Sequence, residues 1–535
     1  MILAERHPTP GQISVLPDGR CMSASTRGKV LHSSLESGAF YDPWVPEYLT
    51  VKYGRGRPIA WEPREVIMEL PMGLGCWEGC INFVDREGDI HLFGMRFLKW
   101  PEDREDPKLH EQRTDVYHVV SRDGGATWEG PVRIDYGEEF TAAIMNVLHL
   151  PNGRIVLPLE YFDVERAVGK YVSKSCYSDD GGRTWGHDST HLPVESGGQH
   201  SHSGAVEPVV AELDGGRVWM LIRTQLGCFY ESFSDDGRIW SPPEPSRFKG
   251  SSSPGEALRL RDGRLLFVWT NGIGPPFASD MLSEWVDYPT ESWCRQVFNV
   301  AVSHDNGATW RGYREIVRTV GHEADGARVG YPRFAELPEG DVLVQFGHHS
   351  GGERAECQYV YVDPDRLDET SDREDFDNGL AGWSFTGATA VQTVTLDEEH
   401  ALRLQGDGNG LLGAERNFPF AVCGRLSFEM RRDESSAGVD LVLDETYWDP
   451  RDRRRNGAID ISLDAELVPS DAWVPVTVSW NVAEQAADLS VGDRQRRIPI
   501  EHAPLGICYL TFYGQTADAE SGATLVRRLE AVVED

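Results

Sequence analysis

The sequence predicts an all-β protein: a six-bladed β-propeller followed by a β-sandwich of jelly-roll type. Three observations predict it. A segment of the form S-x-D-x-G-x-T-W occurs at residues 121–128, 178–185 and 303–310, with a copy one residue shorter at 234–240. A second turn, L-P-D-G or a variant of it, occurs at residues 16–19, 85–88, 150–153, 213–215, 260–263 and 337–340. Beyond Asp363 both repeats stop, and short alternating strands continue without them. A unit of a few strands cannot bury both of its faces alone, so such units must stack. Antiparallel units in radial array form a propeller, and six turns mean six blades.

The stretch 204–240 is the model for one blade. Its runs 206–213, 217–224 and 228–234 are rich in β-branched and aromatic residues and are separated by Asp-Gly or Gly turns. Two charges interrupt them, Glu207 at the start of the first run and Arg223 near the end of the second. Antiparallel neighbours bring the start of one strand beside the end of the next, so the two side chains meet at one rim of the sheet. A purely structural ion pair at a blade edge is the competing reading. In S-x-D-x-G-x-T-W the Asp accepts hydrogen bonds from turn amides, the Gly takes a positive φ, and the Trp packs on its strands. Fourfold repetition marks that segment as structural rather than catalytic.

On this reading residues 1–365 are the propeller and 366–376 a charged linker. Residues 377–535 are the sandwich, with strands near 401–404, 425–431, 439–443, 458–463, 474–480 and 507–513. F-D-N-G-L-A-G-W (376–383) and W-V-P-V-T-V-S-W (473–480) resemble concanavalin-like jelly rolls appended to glycan-active enzymes, which implies a carbohydrate-binding role. The basic run 451–455 reads as a solvated loop.

Composition removes several function classes. The 535 residues carry a formal charge of −34, which opposes nucleic acid and anionic membranes. Any anion site must therefore be locally basic. No apolar run reaches the roughly 20 residues of a spanning helix, and residues 1–10 hold no basic segment followed by an apolar core, so the expected location is cytoplasmic. Nine unpatterned Cys suit reduced thiols. Cys76 and Cys80 lack a second Cys/His pair, so no metal is expected, and no cofactor either.

The S-x-D-x-G-x-x-W segments resemble the Asp-box, or BNR repeat, of the sialidase (neuraminidase) superfamily, over roughly residues 1–365. Four positions between the boxes match that family in order. They are Glu207, then Arg223, then Arg295 opening R-Q-V-F-N-V-A-V-S-H-D-N-G-A-T-W, then Tyr331 in G-Y-P-R-F-A-E-L-P-E-G. The resemblance implies retaining glycoside hydrolysis with Tyr331 as nucleophile and Glu207 as its base. A neutral nucleophile avoids repulsion by the carboxylate on the anomeric carbon of a sialic acid, and Arg223 and Arg295 would grip that carboxylate bidentately. The plainer alternatives are an Arg295 that pairs with an acidic loop and a Tyr331 that fills a blade core.

The match departs from the family at one point. Sialidases hold the carboxylate with three Arg, the first in an F/Y-R-I-P motif. Counting back from the D-R-E-G turn puts that position on Trp77 or Glu78 in C-W-E-G-C, where no Arg stands. Arg96 matches an auxiliary Arg of the family and partly substitutes; Arg6, in R-H-P, belongs to an earlier blade and is the poorer candidate. The family's acid/base Asp falls in the loop between Arg96 and Ser121, which offers Asp103, Asp106, Glu111 and Asp115; Asp106 is the choice. His200 and His202 are loop residues near Glu207.

The expected function is thus an exo-acting hydrolase that releases a terminal acidic sugar from a glycan. That sugar is sialic acid, another 2-keto sugar acid or a uronate. The alternatives are a uronate-directed lyase with His202 or Tyr331 as base, and a non-catalytic glycan-binding protein.

Overall fold

The computed structural model describes residues 5–27, 47–70, 76–99, 113–141, 143–163, 165–166, 170–195, 204–272, 294–319, 328–349, 356–387, 389–406, 408, 412–450, 457–516 and 522–534. Six small antiparallel sheets come first, as the six turns predict, and we number these blades in chain order by their innermost strands. Blade 1 holds Ile13–Val15, Cys21–Arg27 and Tyr48–Arg55, with Ala60–Trp61 and Glu65–Glu69 both paired to the third strand. Blade 2 runs Cys76–Val84, Ile90–Lys99, Arg113–Ser121, Glu129–Ile134; blade 3 runs Leu148–His149, Ile155–Phe162, Tyr171–Ser178, Leu192–Pro193. Blade 4 is Val206–Glu212, Val218–Arg223, Cys228–Ser234, Glu244–Lys249; blade 5 is Glu256–Arg259, Leu265–Trp269, Val297–Ser303, Arg311–Arg318. Blade 6 takes Arg328–Glu336, Val342–His349 and Glu356–Val362, and its outermost strand is His7–Pro8 from the start of the sequence.

The six copies of the first hairpin turn are one hydrogen-bonded structure. Leu16, Leu150, Leu213, Leu260 and Leu337 each donate their N–H to the carbonyl four residues on, as does Asp85 in the D-R-E-G variant. In the other repeat, Asp123 accepts from the Thr127 amide and hydroxyl while Trp128 Nε1 donates to Gly125 O. Asp180 and Asp305 repeat this arrangement. In the shortened copy Trp240 instead donates to Ser175 of blade 3, so losing one residue converts a local bond into a bond between blades. Both kinds of turn lie at the same end of the blades, which leaves the opposite rim for Glu207, Arg223 and Tyr331.

Beyond blade 6 lie two facing sheets. One has five strands, ordered Trp383–Phe385, Gly413–Ala421, Ile507–Gly514, Gly438–Asp444, Ile459–Asp464. The other has eight, including Cys423–Arg432 between Thr524–Glu534 and Val474–Asn481. Trp383, Leu426, Phe428, Leu441, Val476 and Phe512 fill the space between them. Part of the stretch expected as linker, 366–376, is ordered differently. Ser371–Glu374 forms a strand on Thr524–Glu534, because Glu374 is needed by the sandwich, where its carboxylate takes Arg416 and Trp383 Nε1.

The outer face of the five-stranded sheet packs on blade 5. Phe420 stacks on Tyr313 with ring centroids 4.1 Å apart. Tyr509 Oη donates to Glu315 at 2.8 Å, and Glu315 also takes Arg318. Strand Gly413–Ala421 is therefore buried on both sides along its whole length, which erases the alternation that a half-exposed strand displays. Among the described residues no helix is long and apolar enough to cross a membrane.

Candidate active site

Three blades bulge at the rim, and the bulges build the site. Pairing of the first two strands slips between Val206 and Val209 in blade 4, between Gly330 and Arg333 in blade 6, and between Glu78 and Ile81 in blade 2. A bulge inserts one residue that the ladder does not pair and re-aims its side chain. In blades 4 and 6 the residue after the first slipped position is Glu207 and Tyr331, each followed by Pro and each with positive φ, 46° and 57°. Such a conformation strains a side chain other than glycine by about 1–3 kcal/mol, and here it occurs twice at the two chemically interesting positions. In blade 2 Gly79 holds the corresponding position. Glu78, expected where a cation is missing, stands one residue earlier, at the register of Val206 and Gly330.

The bulged residues meet. Tyr331 Oη donates to Glu207 Oε1 at 3.0 Å, and Arg223 Nη1 donates to Glu207 Oε2 at 2.6 Å. Glu207 is 6% and Arg223 8% exposed, whereas Tyr331 is 45% exposed; the acid and the guanidinium form the floor and the phenol reaches the surface. The charge of Glu207, foremost, pushes the Tyr331 pKa up to about 12, against the opposing pull of Arg223 and Arg295. Burial acts most strongly, to lower the Arg223 pKa, but Glu207, Tyr331 and Glu160 together outweigh it and the net shift is upward.

Arg295 belongs to the same group. Its Nη2 donates to the Ser252 carbonyl at 2.6 Å, while Arg223 Nε and Nη2 lie 3.3 and 3.2 Å from Ser252 Oγ. One serine thus sits between the buried Arg223 and the half-buried Arg295. Burial, and next the charge of Arg223, pull the Arg295 pKa well below the usual arginine range. Two like charges held this close and this dry are relieved by an anion placed between them. Arg328, exposed at the start of the strand that carries Tyr331, adds a further positive charge that Arg295 senses.

The structure brings Glu207, Arg223, Arg295 and Tyr331 together, and the other candidates stand as follows. Arg96 is buried in blade 2 with its backbone opposite Trp77 and Asp115. Asp115 is committed to Arg133, at 2.6 Å, and to the Tyr117 hydroxyl. Arg6 adjoins the outermost strand of blade 6, not an earlier blade, and donates to the Arg318 carbonyl of blade 5. Asp103, Asp106, Glu111, His200 and His202 lie outside the described residues.

Two groups escape a reading of sequence alone. Ser252 lies in a loop, in the run S-S-S, with nothing to distinguish it. Glu160 ends an apolar run, I-V-L-P-L-E, and is 0% exposed. Its signal was available, since it follows Ile155 by the count that separates Arg223 from Val218, the matching first residue of the second strand.

Below this group a cavity of about 580 Å³ runs along the propeller axis, lined by all six innermost strands or the segments that lead into them. Its polar wall includes Gln12, Asn82, Asn146, Glu256 and Arg333. Neither Glu207 nor Tyr331 lines it, so cavity and rim site are separate. Asn146 donates to Glu256 at 2.8 Å, and Arg333 lies 3.5 Å from the other oxygen. Burial, partly offset by Arg333, raises the Glu256 pKa to about 7. The described residues also hold two groups of metal-ligating side chains, both centred on Asp85 in the blade 2 turn. Asp85 is already occupied there by two amides and His91.

A family model described as BNR repeat-like domain matches residues 55–344. No curated protein matches the chain in sequence. Similar solved structures include a protein of unknown function from Dyadobacter fermentans, at 21% identity and a TM-score of 0.48, with 67% of this chain and 96% of that one covered. A mutant of Trypanosoma rangeli sialidase displaying trans-sialidase activity has 12% identity and a TM-score of 0.44, with 99% and 91% covered. The NanB sialidase of Streptococcus pneumoniae has 13% identity and a TM-score of 0.43, with 68% and 69% covered.

Proposed function

The chain belongs to the BNR repeat-like domain family, and from that premise we propose that it is an exo-acting retaining glycoside hydrolase releasing a terminal acidic sugar. The observation that carries the reading is the hydrogen bond from Tyr331 to Glu207, with Arg223 on the other carboxylate oxygen and Arg295 alongside. A phenol whose pKa is raised to about 12 is a poor nucleophile unless its proton leaves as it attacks, and Glu207 is in place to take it. Tyr331 Oη would bond to the anomeric carbon as that proton moves to Glu207 and the leaving oxygen departs with a proton from an acid on the substrate side. Asp106 is the proposed acid. Water then attacks the same carbon and gives its proton to the now ionised acid, the bond from that carbon to Tyr331 Oη breaks as Glu207 returns its proton to the phenolate, and two inversions give net retention.

The paired guanidiniums support an acidic sugar. A carboxylate bridging Arg223 and Arg295 would relieve their mutual repulsion and gain charge-assisted bonds from both. The sugar itself is either sialic acid or, in view of the glutamate and glycine at positions 78 and 79 of blade 2, another 2-keto sugar acid or a uronate.

The test is release of fluorophore from N-acetylneuraminic, Kdo-type and glucuronic acid glycosides, with Tyr331→Phe as control. We expect turnover of at least one of them and a loss of about 10³-fold or more in Tyr331→Phe, with the melting temperature unchanged. Near-wild-type rates in Tyr331→Phe would rule out the tyrosine nucleophile. An unsaturated, ultraviolet-absorbing product would assign a lyase instead.

A further inference from the structure

Glu160 has no part in the reaction outlined above, yet it is a buried acid beside that reaction's base. Blades 3 and 4 are built in one register, and Glu160 stands on blade 3 where Arg223 stands on blade 4. Across the ladder from Glu160 is Ser173, whose hydroxyl donates to the Ala205 carbonyl, and the Ala205 N–H donates to Tyr171 O. Blade 3 thus clamps the residues that lead into Glu207, and Glu160 is enclosed between that clamp and the site. Neither carboxyl oxygen reaches a donor with hydrogen-bond geometry.

A fully buried carboxylate with no well-aligned donor is strongly disfavoured against its neutral acid. The groups around it act in both directions. Burial drives the Glu160 pKa well above the usual range and the charge of Glu207 adds to this, while the amides of Glu160 and Glu207 and the charge of Arg223 offset only part. Tyr171, from the third strand of blade 3, is held protonated by burial and by the same carboxyls. Arg333, further along the axis, is paired with Glu256.

We propose that Glu160 is a positioning residue that stays a neutral carboxylic acid, so that Arg223 and Arg295 together outweigh Glu207 by one positive charge and can accept an anionic sugar. The inference rests on the hydrolase reading for the identity of the ligand, but not for the protonation state. Ionised, Glu160 would add a second acidic charge beside Arg223 and bring these four groups to neutrality, leaving only the exposed Arg328 to attract a substrate carboxylate. Its effect therefore falls on binding, with KM rising as Glu160 loses its proton and kcat following less.

The experiment has two readouts. In the wild-type protein the infrared C=O stretch of a buried protonated acid, identified by its loss in Glu160→Gln, is expected at pH 7; a carboxylate signal from Glu160 at that pH overturns the proposal. On whichever acidic glycoside is turned over, wild-type KM is expected to rise about tenfold per pH unit once the band titrates. In Glu160→Gln, whose amide mimics the neutral acid, that rise is absent. The same rise in both proteins also overturns it. Glu160→Met serves both comparisons if the Gln variant does not fold. Should no glycoside be cleaved, the infrared result still decides the protonation state, so failure of the hydrolase reading and failure of this one are told apart.

Discussion

At the scale of single residues the site depends on how its charges are shared. Ser252 contributes no charge, yet both arginines converge on it, one on its hydroxyl and one on its carbonyl. Removing the hydroxyl deprives Arg223 of a partner and leaves Arg295's bond intact. Ser252→Ala should raise KM for an acidic glycoside about 10- to 150-fold, which is the worth of one hydrogen bond to a charged group, with a smaller change in kcat. Unchanged KM would mean that the serine only fills space. Glu207, Arg223, Arg295 and Tyr331 were legible in the sequence because they stand between the repeated turns in the order that the family resemblance implies. Ser252 was not, because a loop serine carries no periodic signal. Glu160 was legible only by comparing one blade with the next, since a lone Glu near the end of an apolar strand looks like a solvent-exposed position.

At the scale of elements the repeated turns are as closely fitted as the site. A Cβ at Gly182 would fall 2.3 Å from the His118 ring, on a backbone with φ of 83°. A Cβ at Gly124, in the blade 2 copy, would meet nothing within 4 Å at a φ of 71°. Gly124 and Gly182 are neighbouring rather than equivalent positions of the repeat, but both have a similar positive φ, so the difference between the two alanine substitutions reports chiefly the clash. Gly124→Ala should cost about 1 kcal/mol and Gly182→Ala about 2 kcal/mol more, measured by denaturant unfolding. Equal losses would show that His118 moves aside freely. That the turns would be hydrogen-bonded hairpins followed from their Asp and Gly positions. Strand Gly413–Ala421 did not follow from its sequence, because sheet on one side and blade 5 on the other bury polar and apolar residues alike.

At the scale of the whole molecule the propeller and the sandwich share one seam. Phe420, Tyr447, Cys508 and Tyr509 from the sandwich join the cluster that holds Trp269, Trp310 and Tyr313 of blade 5. The seam reaches toward the site. Gln296, next to Arg295, donates to Asp449 at 2.9 Å, and Asn271 donates to the Glu445 carbonyl. A shared apolar core makes the two parts unfold together. Calorimetry should give a single transition, and Phe420→Ala should lower its stability by about 3–5 kcal/mol without splitting it. Two resolved transitions would refute the coupling. The same contacts make the sandwich a support for the strand of Arg295, so Phe420→Ala is expected to weaken carboxylate binding as well.

The ring closes through a strand of two residues. His7 and Pro8 pair with Tyr359 and Gln358, and His7 lies against the Tyr359 ring with centroids 5.3 Å apart. On the ribosome, where a chain emerges in order, that pairing must wait until nearly all of the propeller has been made. Throughout that interval blade 1 has one flank uncovered and the early strand has no sheet to join. The Tyr331–Glu207 contact joins blade 6 to blade 4 and likewise waits until blade 5 and the first strand of blade 6 have been made. The chain thus acquires this contact late, and no piece of the propeller that ends before blade 6, however well folded, contains it.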